Sequence, residues 1–114
     1  MIGNSIGDVG WPACGELDIM EHVGYDPDVI HSTLHAANYY WKIDEQQTGG
    51  TTISNSQTQF HVYGIDWQED KIDFYVDGDL YFTGVPKGGS QFDLNAWPFS
   101  LSHSLILNIA VGGD

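Results

Sequence analysis

The sequence is poor in basic residues. Lysine and arginine together number 3 against 16 aspartates and glutamates, which gives a formal net charge of −13 at pH 7. Cation contacts supply most of the non-specific affinity for nucleic acids, so this charge argues against a nucleic-acid partner and against an anionic membrane surface. An uncharged or cationic ligand fits better, although solubility alone is an alternative explanation for the acidity.

Cysteine and long apolar runs are also scarce. The single cysteine, Cys14, excludes an intramolecular disulfide, and without a basic neighbour it is expected to pack as a small apolar side chain. No apolar run approaches the ~20 residues that span a bilayer, and no signal peptide opens the sequence. We therefore expect no membrane anchor.

Helical periodicity is missing, whereas alternation of polar and apolar residues is frequent. We predict a loop over 1–15, strands over 16–23, 29–36, 60–67, 71–76, 80–83 and 104–111, and a long surface loop with one short strand over 38–59. The dipeptide Asp77-Gly78 predicts a tight hairpin turn. Short strands separated by turns indicate an all-β sandwich.

A sandwich of this kind often runs to roughly 200–250 residues. We therefore expect residues 1–114 to be the central part of a single larger domain. Open sheet edges and the apolar segment 105–111 would then make the isolated chain marginally stable and prone to associate.

The most informative segment is Gly-Glu-Leu-Asp-Ile-Met-Glu over 15–21. Side chains alternate along a strand, so Glu16 and Asp18 point the same way, whereas Glu21 is an odd step from Glu16 and points to the opposite face. One inserted residue, a β-bulge around Ile19 and Met20, would return Glu21 to the side of Asp18. Repulsion among three such carboxylates raises at least one pKa, which keeps one group protonated near neutral pH.

This pattern suits glycoside hydrolysis with retention, which needs an attacking carboxylate and a protonated acid about 5–5.5 Å apart. Spacing alone leaves two alternatives: a solvated acidic face, or part of a calcium site, although calcium loops carry their acidic residues at shorter spacing. His31 and His35 form an H-x-x-x-H pair, but no third ligand accompanies the pair in a zinc motif and the context is not a helical H-E-x-x-H. We predict no metal site.

The run Trp-Pro-Ala-Cys-Gly-Glu-Leu-Asp-Ile-Met-Glu-His-Val-Gly over 11–24 resembles the active-site strand of laminarinases, the endo-β-1,3-glucanases of glycoside hydrolase family sixteen. Segments 31–35, 60–67, 71–78 and 105–113 match that family in the same order. The resemblance implies a concanavalin-like jelly-roll β-sandwich, incomplete here, with a glucan cleft on its concave sheet. The whole of 1–114 would be the central part of one catalytic domain.

Carried over by position, the resemblance implies that Glu16 is the nucleophile, Asp18 the assisting carboxylate and Glu21 the acid/base. It also implies that Trp11 stacks on the sugar at the cleavage point and that His35 lies near the same sugar.

A further candidate substrate-binding residue is Asn108, the one polar residue in an apolar stretch. If buried it must find hydrogen-bond partners, so it faces either the cleft or a structural network. Trp41 and Trp97 are each expected either on the cleft rim or in the core.

The activity implied is endo-hydrolysis of β-1,3-glucan by a retaining double displacement. Alternatives are a relative that acts on mixed-linkage glucan or agar, and a non-catalytic β-glucan-binding module on the same fold. The resemblance implies a polysaccharide partner, no catalytic cofactor, a structural calcium ion as an option in the complete domain, a monomeric state, and an extracellular or periplasmic location.

Overall fold

The computed structural model describes residues 1–111 and folds them into two antiparallel sheets. The strands are β1 (Ile2–Gly3), β2 (Glu16–Glu21), β3 (Val29–His35), β4 (Gln47–Thr52), β5 (Tyr63–Trp67), β6 (Ile72–Val76), β7 (Asp79–Gly84) and β8 (His103–Ser104). A short helix, α1 (Ile6–Val9), and 3₁₀ turns at Trp41–Ile43 and Pro98–Ser100 complete the described elements. The predicted all-β class is confirmed. Over residues 1–111, no helix is long and apolar enough to cross a membrane.

The larger sheet has the order β4-β3-β2-β1-β8, and the smaller sheet has the order β5-β6-β7. Each pairing within the two sheets is antiparallel. Strand β2, which carries the acidic segment, therefore lies in the middle of the five-stranded sheet with a hydrogen-bonded neighbour on either side. A central strand is held more firmly than an edge strand, and this suits it to carry a site.

The core lies between the two sheets and follows from the alternation along each strand. Leu17 and Leu34 of the larger sheet are fully buried against Ile72 and Phe74 of the smaller one. The Phe74 ring stacks on Phe82, with 5.0 Å between ring centroids. Ile30 and Leu34 lie on the same face of β3 because side chains alternate along a strand, and both are fully buried.

The predicted hairpin is confirmed at Asp77-Gly78. Both residues have positive φ, 51° and 91°, and Val76 pairs with Asp79 across the turn. A two-residue turn of this hand needs the left-handed conformation at both central positions, which aspartate tolerates and glycine adopts freely.

The expected loop over 1–15 is partly wrong. Ile2 pairs with Glu16 on one side and with Ser104 on the other, so that β1 joins β2 to β8. Helix α1 then ends at Gly10, whose φ is 72°. A two-residue strand is too short to show alternation, which is why the sequence pattern does not indicate it.

The predicted strand over 104–111 is wrong. Strand β8 ends at Ser104, and beyond it the side chains of Leu107, Ile109 and Val111 are 90%, 94% and 100% exposed. An apolar strand is stable only where neighbours accept its hydrogen bonds and cover its faces, and residues 1–111 supply no such neighbour past Ser104. The end of the matched segment, residues 112 and 113, lies outside the described residues.

Two side chains with open assignments are buried. Cys14 is fully buried, and burial raises the pKa of its thiol, so the expected role in apolar packing is confirmed. Trp97 lies in the core rather than on a rim, and its indole Nε1 donates to the carbonyl of Glu69 at 2.8 Å. Trp41, in contrast, is 58% exposed.

Candidate active site

The three carboxylates of β2, those of Glu16, Asp18 and Glu21, form a stripe along one face of the larger sheet. Glu16 pairs with His35 and Asp18 pairs with Thr33, while a shift of register between Asp18 and Glu21 pairs Glu21 with His31. His31, Thr33 and His35 alternate along β3 and so point to one side, and residues directly opposite each other share a face. The predicted bulge is therefore confirmed, and it turns the odd step from Glu16 to Glu21 into a common orientation.

The bulge is held from the neighbouring strand and from the second sheet. The Ser32 hydroxyl donates to the carbonyl of Ile19 at 2.7 Å, and the Tyr81 hydroxyl donates to the same carbonyl at 3.4 Å. The two hydroxyls also contact each other. A bulge leaves backbone groups without ladder partners, and these hydroxyls satisfy one of them. Sequence reasoning missed this contact; its one signal is Ser32, a hydroxyl on an otherwise apolar strand face.

Glu16 is oriented by an aromatic partner. The indole Nε1 of Trp11 donates to Oε2 of Glu16 at 2.6 Å, and the Trp11 ring lies against the His35 ring with 5.8 Å between centroids. The bond occupies one of the two oxygens of the carboxylate. It thus brings three of the predicted site residues together at one end of the stripe.

The backbone that leads into Glu16 is set by Gly15. Its φ is 83°, and a Cβ at this position would lie 2.7 Å from Cγ of Pro98 and 3.0 Å from Nε2 of His103. The left-handed conformation and the crowding both favour glycine here.

We expect Gly15→Ala to lower the free energy of unfolding by about 2–4 kcal/mol, because left-handed strain and overpacking add. Urea unfolding followed by tryptophan fluorescence measures this. Gly24→Ala is the matched control, since nothing lies within 4 Å of a Cβ there, and its effect should stay within about 0.5 kcal/mol. Equal losses in the two variants would show that Gly15 is not required.

Asp18 has a strongly raised pKa. Burial raises the pKa of Asp18 to about 7, and the charges of Glu16 and Glu21 push it in the same direction. Nε2 of His35 lies 3.7 Å from Oδ2 of Asp18, but burial lowers the pKa of His35. Both shifts favour the neutral forms, so this contact is not an ion pair near neutral pH.

The pKa of Asp18 predicts a particular pH dependence of stability. Between about pH 4 and 7 the unfolded chain releases a proton that native Asp18 keeps, so this contribution to stability is complete below that window and is lost as the pH rises through it. The slope approaches about 1.4 kcal/mol per pH unit. His35, with its lowered pKa, contributes with the opposite sign, because its share of stability is lost as the pH falls through its range.

The variant Asp18→Asn isolates the contribution of Asp18 to the pH dependence of stability, because His35 remains in both proteins. We expect the stability difference between variant and wild type to shift in favour of Asp18→Asn as the pH is raised from about 4.5 to about 7.5. Urea unfolding at several pH values measures it. Parallel stability curves for the two proteins would contradict the raised pKa.

Glu21 lies at the open end of the stripe. Its side chain is exposed, and the Thr33 hydroxyl donates to Oε2 at 3.2 Å. The Thr33 hydroxyl is also 3.4 Å from that of Thr48 on β4. Glu21 can therefore exchange protons with solvent while its carboxylate is held beside Asp18.

Two carboxylates of the stripe and a histidine of β3 are close enough to share a cation: Glu16, Asp18 and His35 each offer an atom within 4.8 Å of the others. Ligation would require Asp18 to release its proton, because only the carboxylate form binds metal well. The absence of a metal site stays a prediction.

The predicted role of Asn108 gains no support. The residue is exposed and lies outside the strands, so the buried strand position from which the role was inferred is wrong. Trp41, in contrast, packs beside Trp11, with 6.5 Å between ring centroids, and thus lies on the rim of the site. The sequence left its position open, because no strand pattern covers it.

A two-sheet sandwich whose central strand presents a bulged row of carboxylates beside an indole defines a glycoside-hydrolase type of site. The chain belongs to family 16 of the glycosyl hydrolases, whose family model matches residues 4–113. A beta-glucanase of Rhodothermus marinus is 42% identical over 109 residues, which cover 94% of this chain and 38% of that relative.

Solved structures agree with this assignment. A laminarinase from Flavobacterium sp. UMI-01 superposes with a TM-score of 0.76 at 37% identity, covering 88% of this chain and 41% of that one. SCLam is a non-specific endo-beta-1,3(4)-glucanase, and a mutant of it was co-crystallised with 1,3-beta-D-cellotriosyl-glucose. That structure superposes with a TM-score of 0.79 at 37% identity, covering 88% of this chain and 38% of that one. The expected jelly-roll β-sandwich is confirmed, and the chain spans less than half the length of these proteins.

Proposed function

We propose that the chain supplies the catalytic strand of a secreted endo-β-1,3-glucanase that cleaves by double displacement with retention. The observation that carries the proposal is the stripe of Glu16, Asp18 and Glu21 on one face of a central strand, with a bulge in place of a regular step. Family membership and the likeness to a laminarinase support it.

Glu16 is the nucleophile in this proposal. Its Oε1 attacks the anomeric carbon, the bond to the glycosidic oxygen breaks, and a glycosyl ester forms on the carboxylate. The Trp11 indole, bound to Oε2, holds the group in position for attack. Glu16 is partly shielded from solvent, which strengthens electrostatic interactions with the developing positive charge.

Glu21 is the acid/base. It gives its proton to the departing oxygen in the first step and takes a proton from the attacking water in the second, so that the product keeps its configuration. Its exposed position allows the proton to be renewed from solvent between turnovers. A separation of about 5–5.5 Å from Glu16 is what this mechanism requires.

Asp18 links the two steps electrostatically. Its raised pKa depends partly on the charge of Glu16, which disappears when Glu16 becomes an ester. Repulsion then falls, the pKa of Asp18 drops, and its proton becomes easier to release beside Glu21. Asp18 thus acts as a positioning and buffering residue between the two glutamates.

The substrate class follows from the charge and the lining of the site. A neutral glucan avoids repulsion by the acidic stripe, whereas sulfated polymers would meet a chain of net charge −13. His35 is buried against Trp11, with 5.8 Å between ring centroids, so the two rings adjoin the same part of the site. We place Trp11 and His35 around the sugar at the cleavage point.

A non-catalytic β-glucan-binding module is the second candidate. It would use the aromatic rim but would not need three carboxylates in contact. The raised pKa of Asp18 is the observation against it, because a site that perturbs a pKa at an energetic cost is more typical of catalysis than of sugar binding.

Incubation with laminarin, lichenan, agarose and carrageenan, with reducing ends as the readout, tests the function. We expect laminarin to be cleaved fastest and proton NMR to show the β anomer as the first product. Faster cleavage of lichenan or agarose would transfer the assignment to those polymers, and an α anomer would exclude retention. Binding of laminarin without new reducing ends would favour the binding module.

We also propose that catalysis uses no cofactor, that the complete protein is a monomer, and that it acts outside the cell or in the periplasm, where its polymeric substrate is found. Chelator treatment during the laminarin assay tests the first point, since activity should persist. A loss of activity that calcium restores would instead indicate a structural ion.

A further inference from the structure

The rim of the carboxylate site carries an aromatic cluster that the proposed mechanism does not use. Trp41 lies in the 3₁₀ turn after β3 and is 58% exposed. Its ring is tilted by 41° from that of Trp11, and Tyr40 meets Trp11 edge-on with 5.4 Å between centroids. An exposed indole next to a site residue is the kind of surface that ligands cover.

Lys42 sits over the same pair of indoles. Its Nζ lies 5.8 Å from the Trp11 ring centroid and 5.3 Å from that of Trp41. The other two basic residues contact carboxylates, Lys71 with Asp73 and Lys87 with Glu45. Among the described residues, Lys42 is thus the one basic side chain without a carboxylate contact.

The turn that carries these two side chains is organised before any ligand arrives. Backbone hydrogen bonds close the turn: the N–H of Ile43 donates to the carbonyl of Tyr40 at 3.2 Å, and the N–H of Asp44 donates to that of Trp41 at 3.0 Å. Lys87 donates to the Glu45 carbonyl at 2.9 Å and so ties the following residue to a distant part of the chain. A preorganised aromatic surface loses little entropy on binding.

We propose that Trp41 and Lys42 form a sugar-binding subsite beside Trp11, which takes an uncharged β-linked glucose unit of the polymer. The Trp41 indole covers a C–H face of the sugar, and the Lys42 ammonium donates hydrogen bonds to its hydroxyls. Trp11 contacts both Glu16 and Trp41, so this unit lies next to the one being cleaved.

A neutral sugar is favoured over an acidic one at this subsite. Glu16, Asp18 and Glu21 lie on the adjoining strand and repel anions, whereas one ammonium offsets only part of that charge. The inference rests on the proposed function for the identity of the polymer. It stands apart from it in the measurement, because binding is observed without turnover.

Calorimetric titration of the Glu16→Ala variant with laminaripentaose tests the subsite without turnover, and hydrolysis by the wild type is followed separately. Trp41→Ala should weaken binding of the pentasaccharide by roughly tenfold, since a buried aromatic contact is lost. Phe92→Ala is the matched control, because Phe92 is 77% exposed and has no contact with this cluster among the described aromatic pairs.

Lys42→Met keeps most of the apolar stem and should weaken pentasaccharide binding by roughly five- to tenfold, whereas Lys42→Arg should restore most of it. Tighter binding by Lys42→Met would show that the ammonium merely covers the indoles, and would overturn its role. In the Glu16→Ala background, a dissociation constant that Trp41→Ala leaves unchanged, or no binding of the pentasaccharide at all, would overturn the subsite. Binding in this background together with no hydrolysis by the wild type would leave the subsite in place and refute the proposed catalytic function instead.

Discussion

In a protein long enough to be active, replacing Glu16 with alanine is expected to reduce hydrolysis of laminarin by about 10⁴–10⁶-fold, the range that follows removal of the nucleophile from other covalent mechanisms. The loss is large because no other carboxylate of the stripe can take the position. The Trp11 bond aims only Glu16, and the side chain of Glu21 lies at the opposite end. Reducing-end release at substrate saturation measures the effect.

The same variant carries a stereochemical test. Loss of the Glu16 side chain leaves space for a small anion, so azide should restore turnover of an activated aryl β-glucan oligosaccharide and give a glycosyl azide of inverted configuration. An azide product of retained configuration would move Glu16 to the acid role. Glu69→Ala serves as the control, because its side chain is exposed in the turn between β5 and β6, and its activity should equal that of the wild type.

Replacing Glu21 with alanine is expected to lower the rate on laminarin by about 10²–10⁴-fold, the usual contribution of general acid–base catalysis. Formation of the glycosyl ester on an aryl glycoside with a good leaving group should be affected far less, because that group departs without a proton. A burst of released phenol followed by slow turnover separates the two steps.

The role of Glu21 as the acid/base can also be refuted. Equal losses on laminarin and on the activated substrate would show that Glu21 contributes something other than a proton. Thr33→Val offers a comparison, since it removes the hydroxyl that donates to Glu21 but leaves the acid in place. Its effect on activity should be about tenfold or less.

Local rules were sufficient for much of the fold. The positive φ values at Asp77 and Gly78 follow from the dipeptide itself, and the faces of β3 follow from its alternation. The bulge in β2 was also predictable, because three carboxylates on one face require it once the step between the glutamates is odd.

Contacts between distant segments could not be inferred in this way. Ser32 and Tyr81 are 49 residues apart, and nothing in either segment indicates that their hydroxyls meet at the carbonyl of Ile19. The short strand β1 could not be predicted for the same reason, since its pairing partners lie elsewhere in the chain. The apolar pattern of 104–111 predicts a strand that the structure does not contain past Ser104, because a pattern cannot tell whether a neighbour is present to pair with it.

The distribution of charge in the site was predicted only in part. The sequence indicates that repulsion keeps one carboxyl protonated near neutral pH. The structure places the strongly raised pKa on Asp18, because burial is the largest contribution and Asp18 is flanked by both glutamates. Sequence order gives the neighbours of a group but not its distance from water.

The bulge at Ile19 and Met20 has a consequence for how the length of β2 can vary. In a regular strand, loss of one residue turns each later side chain to the wrong face. Here, loss of Met20 would instead leave the two glutamates four positions apart, an even step that a flat pleat places on one side. Two lengths of strand, one bulged and one regular, can therefore present the same pair of acids. The row that the acids form therefore tolerates a difference of one residue in the spacing between them.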